Sequence, residues 1–147
     1  EEGGEFNHGY TYSGHPVACA VAMANIKLMQ EQDIVNKVKN DTAPYLKEKF
    51  ESLNDHPLVA DARTLRLVGG LELLKNKETG ERFDESIAVG MICRGHCFGN
   101  GLVMRAVGDR MIIAPPLVIS HAEIDELVDL ARKALDATLA DLKQKNL

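Results

Sequence analysis

The sequence predicts an α+β domain in which helices pack on a small antiparallel sheet. Two observations support this prediction: apolar residues recur at helical spacing near both ends of the chain, and short apolar runs between them are bounded by turn residues. The elements run helix, helix, strands, helix, strands, helix, an order that favours an α+β arrangement. With 147 residues and a 45% hydrophobic composition, the chain is large enough to bury a core.

Composition and charge argue against several classes of protein. A net charge of −5 disfavours a nucleic-acid surface, which needs clustered Lys and Arg. No apolar run reaches membrane-spanning length, and no secretory signal opens the chain. Three cysteines, an odd number without a disulfide pattern, indicate a reducing compartment. We therefore expect a cytoplasmic protein without nucleic-acid or membrane partners.

The first part of the chain reads as two helices. Residues from Val17 to Met29 are Ala-rich and apolar on nearly every side, so this helix needs cover all round. Asp33 can cap a second helix, which Pro44 interrupts. Pro44 either kinks this helix or restarts it from a cap at Asp41 or Thr42.

The middle of the chain reads as two hairpins separated by a helix. Leu58 to Ala62 and Leu65 to Leu74 are predicted antiparallel strands, and Phe83 to Gly99 is a predicted helix. Leu102 to Ala106 and Arg110 to Ala114 are predicted to pair across a Gly-Asp turn.

Two local signals refine this prediction. Gly69 and Gly70 weaken their strand and indicate a bulge or a close backbone approach. Ser120 to Glu123 has the form of a capping box at the start of the last helix. One apolar stripe follows it, formed by Ile124, Leu127, Val128, Ala131, Leu135, Leu139 and Leu142.

The stretch from Asn7 to Pro16 joins a short extended arm to the first helix. Tyr10 to Tyr12 are strand formers, Ser13 can N-cap the helix, and Pro16 suits its first turn. Free N–H groups at a helix start attract anions, and Thr11 adds a hydroxyl donor. Spacing alone leaves an ordinary strand-to-helix junction as the commoner alternative.

Two motifs in this chain resemble those of a known family. The run His8-Gly9-Tyr10-Thr11-Tyr12-Ser13-Gly14-His15-Pro16-Val17-Ala18-Cys19-Ala20 resembles a signature of the class III pyridoxal-phosphate aminotransferases. A second match runs from Gly101 to Arg105 and on to Ala114-Pro115-Pro116-Leu117. In ornithine-type members the segment that corresponds to the first motif usually reads Thr-Tyr-Gly-Gly-Asn-Pro. Ser13 and His15 therefore favour the ω-amino acid and polyamine:pyruvate branch. The resemblance covers nearly the whole chain.

This resemblance implies the C-terminal portion of a fold-type-I enzyme that uses pyridoxal 5′-phosphate. Residues 1–32 would be a phosphate-binding arm and interdomain helix from the end of the large domain, and residues 33–147 the C-terminal small domain. The chain begins at Glu1 without an initiator Met, and in the family the Schiff-base lysine lies upstream. We therefore expect no catalytic residue in this chain, and no activity from it alone.

The resemblance also implies roles for particular residues. Thr11 and backbone groups of Tyr10 would bind the phosphate of the cofactor held by the neighbouring subunit, which implies a homodimer or a higher homo-oligomer. Arg105 would bind the substrate carboxylate through its guanidinium fork and, in the ω-branch, swing aside for a plain amine. Arg110 has no such assignment and is interpreted as a surface residue.

The sequence gives only weak support for a metal site. Cys93, His96 and Cys97 follow helical spacing and would share a face, but no fourth ligand is evident and cysteines are often simply buried. We predict no metal.

The function implied is transfer of an amino group from an amine, polyamine or ω-amino acid to the keto acid pyruvate. One alternative is another class III enzyme, such as an ornithine or diaminopelargonate aminotransferase or a semialdehyde aminomutase. A different alternative, for the chain in isolation, is a non-catalytic α/β module that self-associates through its apolar first helix.

Overall fold

The computed structural model of the protein describes residues 3–4 and 8–147. The chain divides into two compact units, Glu1–Val35 and Asn36–Leu147. The first unit contains helix α1 (Pro16–Glu31), none of whose residues is buried. The predicted boundary between the large-domain segment (residues 1–32) and the small domain (residues 33–147) stays a prediction. Residues 1–2 and 5–7 of the predicted arm lie outside the described residues.

From Ile34 onward, helical elements alternate with short strands. The helical elements are α2 (Ile34–Lys37), a π-helical segment (Val38–Thr42), α3 (Ala43–Glu51), two 3₁₀ turns (Ser52–Asp55 and Glu85–Ile87), α4 (Val89–Gly99) and α5 (His121–Gln144). The strands are β1 (Val59–Leu65), β2 (Val68–Leu73), β3 (Arg105–Val107) and β4 (Arg110–Ile113). Over the ranges that are described, no helix combines the length and apolarity needed to cross a membrane.

The strands form one antiparallel sheet in the order β1-β2-β4-β3, which confirms the predicted α+β fold. Each hairpin contributes two neighbouring strands, and β2 pairs with β4 at the centre. The bulge lies in β1, between Val59 and Asp61, rather than at the glycines of β2. Gly69 instead marks a close approach, since a Cβ there would lie 3.0 Å from Ile113 Cγ1.

One face of the central strands forms the core. Side chains alternate across a sheet, and in β2 and β4 the buried set is Leu71, Leu73, Met111 and Ile113. Helix α3 packs on β1, α4 packs on β3 and β4, and α5 packs on α3 and α4. These helices contribute fully buried side chains to the same core, among them Leu46, Phe50, Val89, Ile124 and Leu135.

The start of α5 confirms the predicted capping box. The Glu123 N–H donates to Ser120 Oγ at 3.3 Å, and the Ser120 N–H donates to Glu123 Oε2 at 2.8 Å. The buried stripe differs in detail from the prediction, because Ala134 and Thr138 are buried whereas Leu127 and Leu139 are half-buried. Thr138 is accommodated because its hydroxyl donates to the Ala134 carbonyl at 2.7 Å.

The predicted helix from Phe83 to Gly99 is wrong in its first third. A 3₁₀ turn occupies Glu85–Ile87, and Ala88 has a φ of +50°, so α4 begins only at Val89. The Asp84 carboxylate accepts from the Ser86 N–H at 2.9 Å, and this local bond favours a turn over a continuing helix.

Two further boundaries also need correction. Of the two alternatives at Pro44, the restart from a cap at Asp41 or Thr42 is wrong. No side-chain cap forms there, and the chain passes through a π-helical segment in which the Ala43 N–H donates to the Val38 carbonyl. The strand predicted from Leu102 begins only at Arg105, because the Leu102 N–H donates to the Cys97 carbonyl at 2.9 Å as α4 ends.

The connection between α3 and β1 is held by a buried histidine. His56 is 3% exposed, and its Nδ1 accepts from the Leu58 N–H at 3.2 Å. Its Nε2 lies 3.3 Å from Asp136 Oδ1 without hydrogen-bonding geometry. Burial lowers the pKa of His56, and Arg132 lowers it further, although Asp136 and Asp55 oppose both effects. The ring is therefore held in its neutral form.

The pKa of His56 gives stability a dependence on pH. The unfolded chain accepts a proton near the ordinary pKa of about 6.5, whereas the folded chain accepts it only at lower pH. The contribution of His56 to the free energy of unfolding should therefore be fully present above about pH 6.5. At lower pH the free energy of unfolding should decrease, by at most about 1.4 kcal/mol per pH unit from this group. Urea unfolding across this range measures the slope, and a His56→Gln variant with the wild-type slope would contradict the assignment.

Two of the glycines of helix α4 have contrasting surroundings, which allows a matched test of packing. A Cβ on Gly90 would lie 2.0 Å from the Gly108 carbonyl oxygen, whereas a Cβ on Gly95 would meet no atom within 4 Å. Gly90→Ala should destabilise the chain by about 3 kcal/mol, because backbone must move. Gly95→Ala should stabilise it by about 0.5–1 kcal/mol. Urea unfolding measures both, and similar stabilities for the two variants would refute the described contact.

Candidate functional site

The segment before α1 is a turn, so Tyr10 to Tyr12 do not form a strand despite their strand preference. The Tyr10 N–H donates to Ser13 Oγ at 2.9 Å, and the Ser13 N–H donates back to the Tyr10 carbonyl at 2.9 Å. Gly14 has a φ of +74°, which favours glycine and turns the chain towards the helix. These local bonds outweigh the strand preference of the tyrosines, because no neighbouring strand is paired with them in the described residues.

His15, not Ser13, is the N-cap of α1. Its Nδ1 accepts from the Ala18 N–H at 3.5 Å, and its ring makes an edge contact with Tyr12. Pro16 occupies the first turn as predicted, where its missing N–H costs nothing. Ser13 therefore shapes the turn, while His15 begins the helix.

The turn leaves a compact set of donors exposed. Among the described residues, no hydrogen bond uses the Thr11 hydroxyl or the N–H groups of Thr11 and Tyr12. In the sequence these three donors precede the N-terminus of α1, which is the positive end of the helix dipole. Their chemistry fits a dianionic phosphate, which accepts several hydrogen bonds at once. The Tyr10 N–H is already engaged by Ser13, so Thr11 and Tyr12 offer the available donors.

Arg105 is the first residue of β3 and is exposed. Within the part of the chain that the structure describes, its guanidinium makes no hydrogen bond or ion pair. The residue before it, Met104, is 1% exposed and fixes the start of the strand in the core. Arg105 thus combines an anchored backbone with a head group that has no partner among the described residues.

Arg110, at the start of β4, is in a different situation. Glu72 Oε1 accepts from both Arg110 and Arg82 at 3.0 Å. The hydrogen bond from Arg82 lowers the pKa of Glu72, partial burial opposes this, and Arg110 lowers the pKa further. Arg110 is exposed, as expected of a surface residue, but its head group is held in an ion pair, whereas Arg105 forms none with the described residues.

Cys93, His96 and Cys97 do not face one common point. Both cysteines are buried, with exposures of 1% and 0%. The Cys97 thiol donates a hydrogen bond to the Cys93 sulfur, and this bond, together with burial, raises the pKa of Cys97. His96 is turned to α5, where its Nε2 lies 2.9 Å from Asp141 Oδ2. The hydrogen bond from Cys97 lowers the pKa of Cys93, and burial opposes this. The cysteines therefore act as packed side chains at the α4–α5 contact.

The predicted cofactor and carboxylate residues belong to different units. Tyr10 and Thr11 lie in the first unit and Arg105 in the second, and each is described within its own unit. Sequence reasoning did not identify the Tyr12 N–H or the Ser13 hydroxyl as parts of the turn. The signal for the latter was present, because a Ser three residues after Tyr10 can bond its backbone.

A family profile, "Aminotransferase class-III", matches residues 2–135. The chain therefore belongs to the class III aminotransferases, and this confirms the resemblance of its two motifs. Members of this family depend on pyridoxal phosphate.

Individual relatives agree with the family assignment. The chain is 61% identical over 139 residues to a putrescine–pyruvate aminotransferase of Pseudomonas aeruginosa, covering 95% of this chain and 30% of the relative. It is 38% identical to the mitochondrial γ-aminobutyrate transaminase 1 of Solanum lycopersicum, covering 92% of this chain and 26% of that protein. Its structure also resembles that of the PMP-bound aminotransferase of Vibrio fluvialis, with a TM-score of 0.84 and 32% sequence identity. The match covers 92% of this chain and 30% of that protein's chain. The chain thus spans less than a third of these relatives' lengths.

Proposed function

We propose that this chain is part of a pyridoxal-phosphate aminotransferase that moves an amino group from an amine, polyamine or ω-amino acid to pyruvate. The observation that carries this proposal is the 61% identity to a putrescine–pyruvate aminotransferase over 95% of the chain. The γ-aminobutyrate transaminase relatives, such as that of Solanum lycopersicum at 38%, support an ω-amino donor as the runner-up. The catalytic lysine would come from the remainder of the enzyme.

In this proposal the turn before α1 binds the cofactor phosphate. The Thr11 hydroxyl and the N–H groups of Thr11 and Tyr12 are donors without described partners, and Tyr10 holds the turn through Ser13. The cofactor, when bound, supplies the electron sink for amino-group transfer. Thr11 would orient it by fixing the phosphate, which is chemically inert in the reaction.

Arg105 would recognise the carboxylate of the keto acid or of an amino acid donor. Its fork of N–H donors matches a carboxylate, and no described acidic side chain competes for it. A plain amine or diamine lacks the carboxylate, so Arg105 would turn aside to admit it. The exposed position on an edge strand leaves room for that movement.

We further propose a homodimer or higher homo-oligomer in the cytoplasm. Helix α1 presents large apolar side chains, including Val17, Val21 and Met23, each more than 60% exposed. Exposed apolar patches of this kind favour an interface, and Thr11 would then serve a neighbour's cofactor. The cysteines Cys19, Cys93 and Cys97 are free thiols, as in a reducing compartment.

Thr11→Ala in the complete enzyme should weaken cofactor binding more than it alters substrate choice. The lost charge-assisted hydrogen bond is worth roughly 1.5–3 kcal/mol, or about ten- to a hundredfold in affinity. Titration of the apoenzyme with pyridoxal phosphate measures the dissociation constant. Thr11→Ser is the matched control, because it keeps the hydroxyl and should bind within about threefold of wild type. An unchanged constant in the alanine variant would leave Thr11 a plain turn residue.

Arg105→Ala in the complete enzyme should separate the two halves of the reaction. The half with pyruvate or alanine loses its carboxylate partner, and truncating one partner of such a pair costs about 2–5 kcal/mol. That half-reaction should slow by at least roughly 30-fold, while the half with putrescine changes much less. Stopped-flow absorbance of the cofactor follows each half separately.

Arg110→Ala is the matched control for that experiment, since Arg110 lies on the same hairpin but is paired with Glu72. It should leave the ratio of the two half-reaction rates near the wild-type ratio. Equal losses in both halves for Arg105→Ala would mean that Arg105 supports the site as a whole. The role in carboxylate recognition would then be abandoned.

A further inference from the structure

Strand β3, which begins with Arg105, is weakly fixed by its own pairing. It has three residues and lies at the edge of the sheet, so only β4 pairs with it. Arg105 is opposite Ile112, and Val107 is opposite Arg110. Because side chains alternate, a slip by one residue would move Arg105 to the opposite face of the sheet. Something beyond this short pairing must hold the register.

The turn between β3 and β4 supplies that restraint. Gly108 has a φ of +55°, as expected at the first central position of a tight two-residue hairpin turn. Asp109, the second central residue, makes two bonds to other elements. Its carbonyl accepts from the Leu73 N–H at 2.9 Å, and its Oδ1 accepts from the Gly90 N–H at 3.0 Å.

The bond to Gly90 fixes the turn against the first residues of α4. This N–H lies in the first turn of the helix, where it has no partner within the helix and needs another acceptor. Gly90 also approaches the turn so closely that a Cβ there would lie 2.0 Å from the Gly108 carbonyl oxygen. The turn therefore has little room to shift while the Asp109–Gly90 hydrogen bond is made.

The other end of β3 is held independently. Leu102 and Met104 are buried, at 8% and 1% exposure, just before Arg105. With Met104 in the core at one end and Asp109 bonded to α4 at the other, the backbone of Arg105 is restrained from both sides. Its side chain remains free in the described part of the chain.

We propose that Asp109 is a positioning residue for Arg105: by accepting the Gly90 N–H it fixes the β3–β4 turn, and with it the register that presents Arg105 to a substrate carboxylate. This depends on the carboxylate-binding role proposed above for Arg105. The position of the acceptor oxygen matters here, and the charge of Asp109 does not.

Three substitutions in the complete enzyme test this. Asp109→Ala should raise the KM for pyruvate roughly tenfold, the effect of losing one hydrogen bond, with the KM for putrescine within about twofold of wild type. Asp109→Asn keeps an acceptor oxygen in place and should restore the wild-type KM for pyruvate. Asp109→Glu keeps the charge but displaces the oxygen, and should resemble the alanine variant. Asp129→Ala, which removes an exposed aspartate of α5, is the control.

A second readout does not depend on activity. Hydrogen–deuterium exchange, followed by mass spectrometry over residues 105–113, should become faster in Asp109→Ala and return to the wild-type rate in Asp109→Asn. If the alanine variant does not fold, the contrast between the asparagine and glutamate variants decides the question. A glutamate variant equal to wild type, or an asparagine variant equally impaired, would overturn the proposal.

Comparison with Arg105→Ala separates the two proposals. If Arg105→Ala slows the pyruvate half-reaction and Asp109→Ala does not affect it, only the positioning role is overturned. If Arg105→Ala has no effect on pyruvate, the proposed role of Arg105 fails and the positioning role falls with it. A double variant no worse towards pyruvate than Arg105→Ala alone would support action of Asp109 through Arg105.

Discussion

The burial of one face of the sheet under α3 and α4 is the constraint on which the second unit depends. Once Leu71 and Met111 enter the core, alternation along each strand sends Glu72 and Arg110 to the opposite, outward face. The β3–β4 register then places Arg105 on that outward face as well, opposite Ile112. Hydrophobic packing thus decides where the charged groups are presented, although it contributes nothing to their chemistry.

The fold class, both hairpins and the start of α5 were predictable because each depends on a pattern that is local in sequence. The break before α4 was not, because it depends on competition between interactions of similar size. A hydrogen bond from Ser86 to Asp84 favours a turn, and the left-handed Ala88 is tolerated where Val89 is fully buried just after it. Helical periodicity in the sequence cannot weigh that burial against the strain at Ala88.

The site was only partly predictable for a similar reason. Resemblance to the family singled out Thr11 and Arg105 as candidates, and it could not give their surroundings. The turn at Tyr10 depends on a Ser13 hydroxyl bond that overrides the strand preference of two tyrosines. The ion pair of Arg110 joins it to Glu72, 38 positions earlier, and exists only because strand register puts the two residues opposite each other.

The difference between Arg105 and Arg110 follows from how few carboxylates the outward face offers. Glu72 is shared by Arg82 and Arg110, so this cluster already carries more positive than negative charge before Arg105 is counted. Asp61 forms an ion pair with Arg63 of its own strand, β1, so its carboxylate is not available to Arg105 either. Among the described residues, Glu72 and Asp61 are therefore engaged by other arginines, and Arg105 has no ion pair.

In the proposed exchange, a plain amine would be repelled by the charge of Arg105 unless its head group could move away. The fold meets this requirement by restraining the backbone of β3 at Met104 and Asp109 while leaving the Arg105 side chain outside any described ion pair. A side chain without a partner has no bond to break when it changes rotamer, so both orientations remain accessible at little cost. Fixed main chain and mobile head group are the two properties that the proposed exchange between a carboxylate and a plain amine requires of one arginine.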